Sequence, residues 1–318
     1  MLVTGASGFV GRPLVAALAA AGLAVRAATR SAVRFPAGVE PAVVPDFTQP
    51  VDWDPLLRGI DAVVHAAGLA HADSARIPVG TFDRVNRVAT QQLAMAASRA
   101  GVAHFVFVSS VRAQIGASAE HVLRETDAPR PTDRYGRSKL EAEAAVRAAG
   151  VPFTILRPVV IYGPEAKANF RLLVRLASLP IPLPFAAFAH RRSILCIDNL
   201  ISAILFVLSH RTTIGETFLI ADPVPVTLRD LIVMLRQAQG RKPGLVAVPP
   251  RLLRLALTVL GQAHLWDRIS GELAVDTGKL EALGWRPAVD TKAGLAAALH
   301  GLANGPGRQW LAPRDANG

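Results

Sequence analysis

The sequence predicts an α/β protein built on a doubly wound parallel β-sheet. Short apolar runs alternate with longer alanine-rich segments in the first half of the chain, and a glycine-rich turn follows the first run directly. Strands separated by helices of this length form βαβ units, whose parallel sheets are covered by helices on both faces. After Arg157-Pro158 the pattern changes to proline-rich loops and isolated helices, which predicts a smaller second domain.

The elements of the first half can be assigned in chain order from their periodicity. After a very short first strand, Met1–Val3, the predicted strands are Val25–Thr29, Asp61–His65, Phe105–Val108 and Phe153–Leu156. The predicted helices between them are Pro13–Ala21, Val88–Ala100 and Ser138–Ala149.

The turn after the first strand reads Thr-Gly-Ala-Ser-Gly-Phe-Val-Gly from Thr4 to Gly11. Glycines in such a turn let the backbone approach a pyrophosphate, and the following helix directs its first N–H groups at the anion. We therefore expect a dinucleotide to contact Gly5, Ser7, Gly8, Phe9, Val10 and Gly11. The alternative is a plain tight turn between a strand and a helix.

The second half of the chain predicts a discontinuous smaller domain. A helix at Asp198–Ser209 and a strand at Thr217–Ile220 are expected to return to the sheet. We expect a dinucleotide-binding domain at residues 1–165 and about 193–222, and a substrate-binding domain at about 166–192 and 223–302. Residues 303–318 are expected to form a loose tail.

Composition narrows the class of ligand. The net charge of +11 comes mainly from scattered arginines, which attract anions. Because no basic helix, zinc finger or RNA-binding pattern accompanies them, we expect a nucleotide ligand and no nucleic acid. The single cysteine, Cys196, excludes an internal disulfide, and the scattered histidines predict no metal site. A cytoplasmic location without a signal peptide is expected.

Two apolar stretches are long enough that their length must be compared with the length of a membrane-spanning helix. Ile194–Leu208 is interrupted by Asp198 and Asn199, and Leu252–Leu260 by Arg254. Neither reaches the ~18 to 20 uncharged residues that cross a bilayer. Both predict buried or amphipathic helices and no membrane span, with docking of the second stretch on a membrane surface as an alternative.

Tyr135 and Lys139 are candidate catalytic residues because they are four positions apart, and on a helix this spacing places them on one face. A nearby ammonium group is expected to lower the pKa of the tyrosine, which would let the phenol act as both acid and base. Ser110 follows a predicted strand and is expected to bind the reacting oxygen at the carboxyl edge of the sheet. The alternative is a half-buried aromatic residue beside a solvated lysine.

These motifs together resemble the extended short-chain dehydrogenase/reductases, in the NAD-dependent epimerase/dehydratase family, over essentially the whole chain. The matching segments are Thr4–Gly11, Asp46, His65–Gly68, Val85-Asn86, Ser110, Tyr135–Lys139 and Leu156–Pro158. The resemblance implies a Rossmann-type doubly wound sheet with a smaller C-terminal substrate domain. It also implies cofactor contacts from Asp46, Phe47, Ala66, Ala67, Gly68, Asn86 and Pro158.

One departure from the family pattern concerns the choice of cofactor. Members that prefer NAD place an acid at the end of the second strand to bind the ribose hydroxyls. This chain has Arg30 there, in Ala28-Thr29-Arg30-Ser31, and a guanidinium suits a 2′-phosphate. We therefore expect NADP(H) to be favoured over NAD(H), the alternative being that Arg30 stacks on the adenine.

The substrate prediction depends on two loops. Ile161–Phe170 and Arg191–Ser193 resemble substrate loops of bacterial nucleotide-sugar 4-epimerases and 4-ketoreductases of surface-polysaccharide synthesis. The resemblance implies that Asn169 and Arg191 bind the diphosphate of a nucleotide sugar, most simply a UDP-linked one; the alternative is loop capping and surface solvation. Arg192 stands where many relatives have Asp.

The reaction type stays open between two outcomes. Dehydratases carry an acidic pair after the catalytic serine, and this chain has Val111-Arg112-Ala113-Gln114, so dehydration is not expected. A 4-epimerase returns the hydride to its substrate, whereas a 4-ketoreductase consumes NADPH. An NADP-sensing protein without turnover and a reductase of a non-sugar carbonyl are the remaining alternatives. The resemblance also implies a homodimer.

Overall fold

The computed structural model describes residues 1–70, 77–166, 168–259, 261, 266 and 271–304 of the chain. Its strands, in chain order, are β1 (Leu2–Thr4), β2 (Val25–Thr29), β3 (Val39–Val43), β4 (Ala62–His65), β5 (His104–Val108), β6 (Phe153–Pro158), β7 (Val160–Tyr162), β8 (Arg191–Arg192), β9 (Ile194–Cys196), β10 (Thr217–Ile220) and β11 (Val226–Thr227).

The helices of the described residues are α1 (Gly11–Ala20), α2 (Asp54–Leu57), α3 (Ala89–Arg99), α4 (Arg134–Ala148), α5 (Ala168–Ser178), α6 (Ile197–Ser209), α7 (Leu228–Ala238), α8 (Pro250–Val259), α9 (Gly278–Ala282) and α10 (Thr291–Asn304). A π-helical turn, Asp83–Val88, runs directly into α3. None of the helices in the described part of the chain combines the length and apolarity needed to cross a membrane.

The central sheet of the described chain has seven strands in the order β10-β6-β5-β4-β1-β2-β3, and every pair in it is parallel. The prediction of a doubly wound parallel sheet is confirmed. The order reverses beside β1, because β2 lies on one side of it and β4 on the other. In such sheets, ligands bind at the carboxyl ends of the strands near this reversal.

Successive strand residues supply the two faces of the sheet alternately, as the pleat requires. Val106 packs in the cluster that holds α1 and α6, while its neighbours Phe105 and Phe107 pack in the cluster that holds α3 and α4. Six of the seven strands are buried in this way, whereas the edge strand β3 is partly or fully exposed along its length. Parallel strands buried on both sides read as continuous apolar runs, which is why the sequence identified those six and gave no such signal for β3.

A third cluster of buried residues lies in the second half of the chain. It joins α5, α7 and α10 through Val174, Leu235 and Leu299, among others. Tyr162 and Cys196, at the ends of β7 and β9, also belong to it. The proposed division into two domains stays a prediction. Of the expected tail, 303–304 still belong to α10, and 305–318 lie outside the described residues.

Arg236 organises the proline-rich loops near this third cluster. Its buried guanidinium donates hydrogen bonds to the backbone oxygens of Leu179 at 3.1 Å, Ile181 at 2.7 Å and Gly244 at 2.9 Å, and it also reaches Ala177 and Pro243. A guanidinium has five N–H donors, so one side chain can hold several turns at once. The loop after α5 is thereby fixed against the loop after α7.

Candidate active site

The loops that carry the predicted site residues meet at one edge of the sheet. Gly5 follows β1, Ala66 follows β4 and Ser110 follows β5 after a single intervening residue. Because these strands are adjacent and parallel, their carboxyl ends lie side by side. Arg30 after β2 and Asp46 after β3 extend the same edge toward the far side of β1.

The glycine-rich turn is packed too closely for side chains. A Cβ added to Gly5 would lie 2.8 Å from the Cα of Ala67, and one added to Gly11 would lie 2.1 Å from the oxygen of Gly5. Gly5 also has a φ of +68°, which favours glycine. The turn is closed by a hydrogen bond from Gly8 N to Gly5 O at 2.8 Å. Glycine at these positions is a steric requirement.

The described residues of this turn fit a dinucleotide pyrophosphate. Helix α1 begins directly after the turn, and no side chain caps its first N–H groups. Uncapped N–H groups at the start of a helix form a binding site for an anion. Gly8 is exposed at the turn, while Phe9 lies close to Gly163, where a Cβ would be 3.6 Å from the phenylalanine ring. Ser7 and Val10 lie in the same turn, and Pro158 ends β6 beside Ile220.

Arg30 and Asp46 form an exposed ion pair at the other end of this groove. Their side chains are 3.1 Å apart and keep 73% and 46% of their accessible surface. The amide of Thr48 donates to Asp46 at 2.9 Å, and this hydrogen bond and the one from Arg30 lower the pKa of Asp46. Phe47 turns inward and packs edge-on against Trp53, at 5.5 Å between ring centres.

The loop after β4 is fixed by Asn86, which lies in the π-helical turn. The Asn86 side chain accepts a hydrogen bond from the backbone N–H of Leu69 at 2.8 Å and donates to the Leu69 oxygen at 3.1 Å. It also donates to Ser138 Oγ, at 3.0 Å, on α4. Since its amide is engaged by the protein, Asn86 positions the loop Ala66–Gly68 against α4.

Tyr135 lies in the first turn of α4, which begins earlier than the predicted Ser138. Asp133 caps this helix by accepting from Gly136 N at 2.6 Å and also pairs with Arg112. A Cβ on Gly136 would lie 2.2 Å from the Arg112 oxygen, so only glycine lets α4 approach the turn Val111–Ala113 this closely. The capped start and this close approach bring the hydroxyls of Tyr135 and Ser110 into hydrogen-bond contact.

The electrostatics of Tyr135 differ from the expectation. Burial raises the pKa of Tyr135, and the hydrogen bond with Ser110 and the nearby Arg112 oppose that rise only in part. The expected lowering by Lys139 is wrong for this arrangement, because the Lys139 ammonium donates to the Val108 oxygen at 2.9 Å and lies 4.6 Å from the centre of the Phe107 ring. Desolvation therefore dominates at this phenol.

Lys139 itself is buried and strongly perturbed. Burial lowers its pKa from 10.5 to about 8, while the carboxylate of Glu143 acts in the opposite direction. A Cβ on Gly68 would lie 3.4 Å from Lys139 Nζ, so the loop after β4 passes directly over the ammonium. Tyr135 contacts Ser110, and Lys139 therefore lies beside the proposed cofactor loop.

A buried ion pair beneath α4 was missed by the sequence analysis. Glu143 accepts hydrogen bonds from Arg157 Nε at 2.9 Å and Nη2 at 2.6 Å, and from Ser109 Oγ at 2.6 Å. Arg157 also donates to Gln114 at 2.8 Å. This network ties α4 to β6 and to the residue before Ser110. The available signal was that Glu143 is four positions after Lys139, on the same face of the helix.

The two substrate residues predicted from the second half lie on β8 and α5. Arg191 is exposed in β8, which pairs antiparallel with β11. The side chain of Asn169 lies outside the described residues, although its backbone is in the first turn of α5. Arg192 donates to the backbone oxygens of Gly271 at 2.6 Å and Ala117 at 3.1 Å. Burial, and to a smaller extent the positive charge of Arg112, lower the pKa of Arg192.

A buried Ser-Tyr-Lys set beside a glycine-rich turn, at the carboxyl edge of a doubly wound parallel sheet, defines an enzyme of the extended short-chain dehydrogenase/reductase class. The comparison with known families agrees with this class. The chain belongs to the NAD dependent epimerase/dehydratase family, whose model matches residues 1–221.

Individual relatives extend over more of the chain. The UDP-glucose 4-epimerase of Vibrio cholerae is 33% identical over 297 residues, covering 90% of this chain and 90% of that protein. The ceramide reductase of Caulobacter vibrioides is 37% identical over 185 residues, covering 56% of this chain and 52% of the reductase. Among solved structures, MoeE5 in complex with UDP-glucose and NAD is similar with a TM-score of 0.76 and 25% identity, over 98% of this chain and 99% of that one.

The predictions of fold class, family and enzymatic character are confirmed. The individual residue roles stay predictions. The predicted preference for NADP(H) also stays a prediction, since the similar structure holds NAD.

Proposed function

We propose that the chain is a 4-epimerase of a UDP-linked hexose that uses a nicotinamide dinucleotide. The observation that carries the proposal is the contact of Ser110 with Tyr135 at the end of β5, with Lys139 buried one helical turn further on. The relative with 90% coverage of this chain, a UDP-glucose 4-epimerase, supports the choice of reaction.

The chain's own residues have separable tasks in this reaction. The turn Gly5–Gly11 would hold the pyrophosphate of a dinucleotide, which when bound would supply a carbon able to accept a hydride from C4 of the sugar and give it back on the opposite face. Tyr135, once it has released its own proton, would take the proton of the C4 hydroxyl as the hydride leaves, and would return it to the same oxygen when the hydride returns. Ser110 donates a hydrogen bond to the same oxygen. Protons and electrons balance within one turnover, so no external reductant is consumed.

The protonation states of Tyr135 and Lys139 show that Tyr135 must lose its proton before it can act as a base. Burial raises the pKa of Tyr135, so the phenol is protonated at neutral pH in this arrangement. Lys139, with a pKa of about 8, carries most of its charge at neutral pH. We propose that this charge stabilises the phenolate when Tyr135 releases its proton, since a charge acts strongly in a site that excludes water.

The region beside Tyr135 supports an uncharged, oxygen-rich substrate and disfavours elimination of water. Arg112 stands where dehydratases of the family carry carboxylates, and it is paired with Asp133. Its Nε is buried and has no hydrogen-bond partner among the described residues. We propose that Arg112 Nε donates to a sugar hydroxyl, and that Arg191 and Asn169 bind the diphosphate. A role in surface-polysaccharide synthesis is part of this proposal.

A 4-ketoreductase is the second candidate, and Arg30 is the observation that favours it. No acid stands at the end of β2 to bind ribose hydroxyls, which supports the predicted NADP(H) and hence a reductase that consumes NADPH. Asp46 acts against this preference because its carboxylate neutralises Arg30 at 3.1 Å.

The deciding experiment incubates purified protein with UDP-glucose, without added cofactor, and follows UDP-galactose by chromatography. Interconversion by the wild-type chain, and none by Tyr135→Phe, is the expected result. A second assay supplies NADPH and a UDP-4-keto-6-deoxy sugar. Stoichiometric loss of NADPH there, with no interconversion in the first assay, would replace the epimerase by the ketoreductase. Dinucleotide binding with neither activity across a panel of UDP-sugars would contradict both.

A further inference from the structure

Helix α8 presents an apolar stripe to solvent. Leu252, Leu255 and Val259 recur at the spacing of one helical face, and they keep 58%, 61% and 77% of their accessible surface. Arg251 and Arg254 are also exposed, and they occupy the adjacent face of the same helix. The described residues of α8 therefore combine an exposed apolar stripe with a neighbouring cationic stripe.

The loop after α5 and the loop before α8 continue this character. Leu179, Ile181 and Val246 keep 40%, 56% and 44% of their accessible surface. The Val246 N–H donates to the Leu183 oxygen and the Leu183 N–H donates to the Gly244 oxygen, and these bonds together with the contacts of Arg236 hold the loops together. Val246 lies four residues before the first residue of α8, a distance of at most about 14 Å along an extended chain. We call α8 and these loops the apolar-basic surface.

The positive charge of the apolar-basic surface favours an anionic partner. The sequence from Leu231 to Trp266 contains no Asp or Glu, while Arg241, Lys242, Arg251 and Arg254 are all exposed. A second copy of the chain, with a net charge of +11, would place like charges opposite each other on this surface. A sheet of phosphate headgroups over hydrocarbon matches both stripes.

We propose that the apolar-basic surface docks the enzyme on an anionic phospholipid bilayer, with α8 lying in the plane of the interface. Leu252 and Leu255 enter the boundary between headgroups and acyl chains, and the guanidinium groups of Arg251 and Arg254 stay at the phosphates. At ten residues, α8 rests on the bilayer without crossing it. The docking is independent of the reaction proposed above.

Vesicle sedimentation with the full chain tests this proposal. Vesicles of phosphatidylcholine with about 30% phosphatidylglycerol should bind the protein at least about tenfold more tightly than phosphatidylcholine alone, and salt near ~0.5 M should remove most of the difference. The variant L252S/L255S and the variant R251Q/R254Q should each lose at least about fivefold of that binding. Leu23→Ser, at a leucine that is 41% exposed between α1 and β2, is the matched control and should bind as the wild type does.

Two results would overturn the proposal. One is equal sedimentation of wild type and L252S/L255S with anionic vesicles. The other is a dimer in light scattering without lipid that L252S/L255S converts to a monomer, because the surface would then be an interface between copies. Thermal unfolding of each variant, together with its catalytic activity, shows that a loss of vesicle binding does not come from misfolding, since these residues lie outside the candidate active site.

Discussion

The two ends of the proposed cofactor groove are built differently. At the reaction end, Tyr135, Lys139 and Ser110 are buried and held by neighbours that are themselves buried. At the other end, Arg30 and Asp46 meet as an exposed ion pair held in place by a loop. The geometry of the reaction end depends on the packing of the core. Residues at the exposed end can be replaced without destabilising the core. The type of chemistry is therefore tied to the fold, and the choice of dinucleotide is not.

The largest effect is expected from Tyr135→Phe, which removes the proton carrier and leaves the ring. Turnover should fall by about 10²- to 10⁴-fold, the range for losing a positioned acid or base, while dinucleotide binding stays intact. The chain's other tyrosine supplies the control. Tyr162 donates to Asp222 at 2.8 Å in the third cluster, so Tyr162→Phe should change stability and keep turnover. Initial rates, with dinucleotide binding measured by calorimetry, check both variants.

Breaking the ion pair beneath the reaction end should act on stability first. Glu143→Gln leaves the buried Arg157 without its carboxylate, and losing one partner of a buried pair typically costs about 3 to 5 kcal/mol. Glu141→Gln is the matched control: Glu141 is exposed and 3.9 Å from Arg87, and surface pairs of this kind contribute about 0 to 1 kcal/mol. Chemical denaturation of the three proteins measures the difference, and equal midpoints would refute the role of the pair.

The pH dependence follows from Lys139. Its pKa of about 8 lies below the ordinary 10.5, so the ammonium loses its proton as the pH rises through about 8. If that charge assists Tyr135, kcat/KM should decline above this pH, with an alkaline limb that reports the free enzyme. Lys139→Arg keeps its charge throughout the range, so any residual activity of that variant should lack the limb. An unchanged limb in the arginine variant would assign it to another group.

The smallest effect is expected at the exposed end. Arg30→Ala should weaken NADP(H) binding by roughly tenfold or less and leave NAD(H) binding nearly unchanged, because a solvent-exposed ion pair contributes about 1 kcal/mol or less. Arg34→Ala, a nearby exposed arginine, is the control. Titration of both dinucleotides against the three proteins gives the ratio. Equal weakening of NAD(H) and NADP(H) would show that Arg30 stacks on the adenine instead of selecting the phosphate.

The sequence predicted correctly those features whose burial leaves a local pattern in the sequence. The inner strands of the central sheet are buried on both faces, so Phe105–Val108 reads as an apolar run. Glycine is required in the first turn because a Cβ added at Gly11 would lie only 2.1 Å from the Gly5 oxygen. Glu143 was missed because a charged residue in an alanine-rich helix usually faces solvent, and its partner Arg157 comes from β6, across the fold.

The electrostatics of Tyr135 show a second limit. Helical spacing places Lys139 near the phenol, but it contains no information about the depth of burial or about the Val108 oxygen that takes the ammonium. The early start of α4 has a similar cause. Asp133 and Gly136 stand before the predicted start at Ser138, and they act as a cap and as a point of close approach only when the turn after Ser110 lies against them.

The uncapped start of α1 has a consequence for the lifetime of the protein in a cell. No side chain caps its first N–H groups, so the pyrophosphate of the proposed dinucleotide would add hydrogen bonds there. A ligand at a hundred times its Kd adds about 2.7 kcal/mol to the free energy of unfolding. Proteolysis that proceeds through the opened chain slows accordingly. The abundance of this enzyme should therefore follow the supply of its dinucleotide, even where its rate of synthesis is constant.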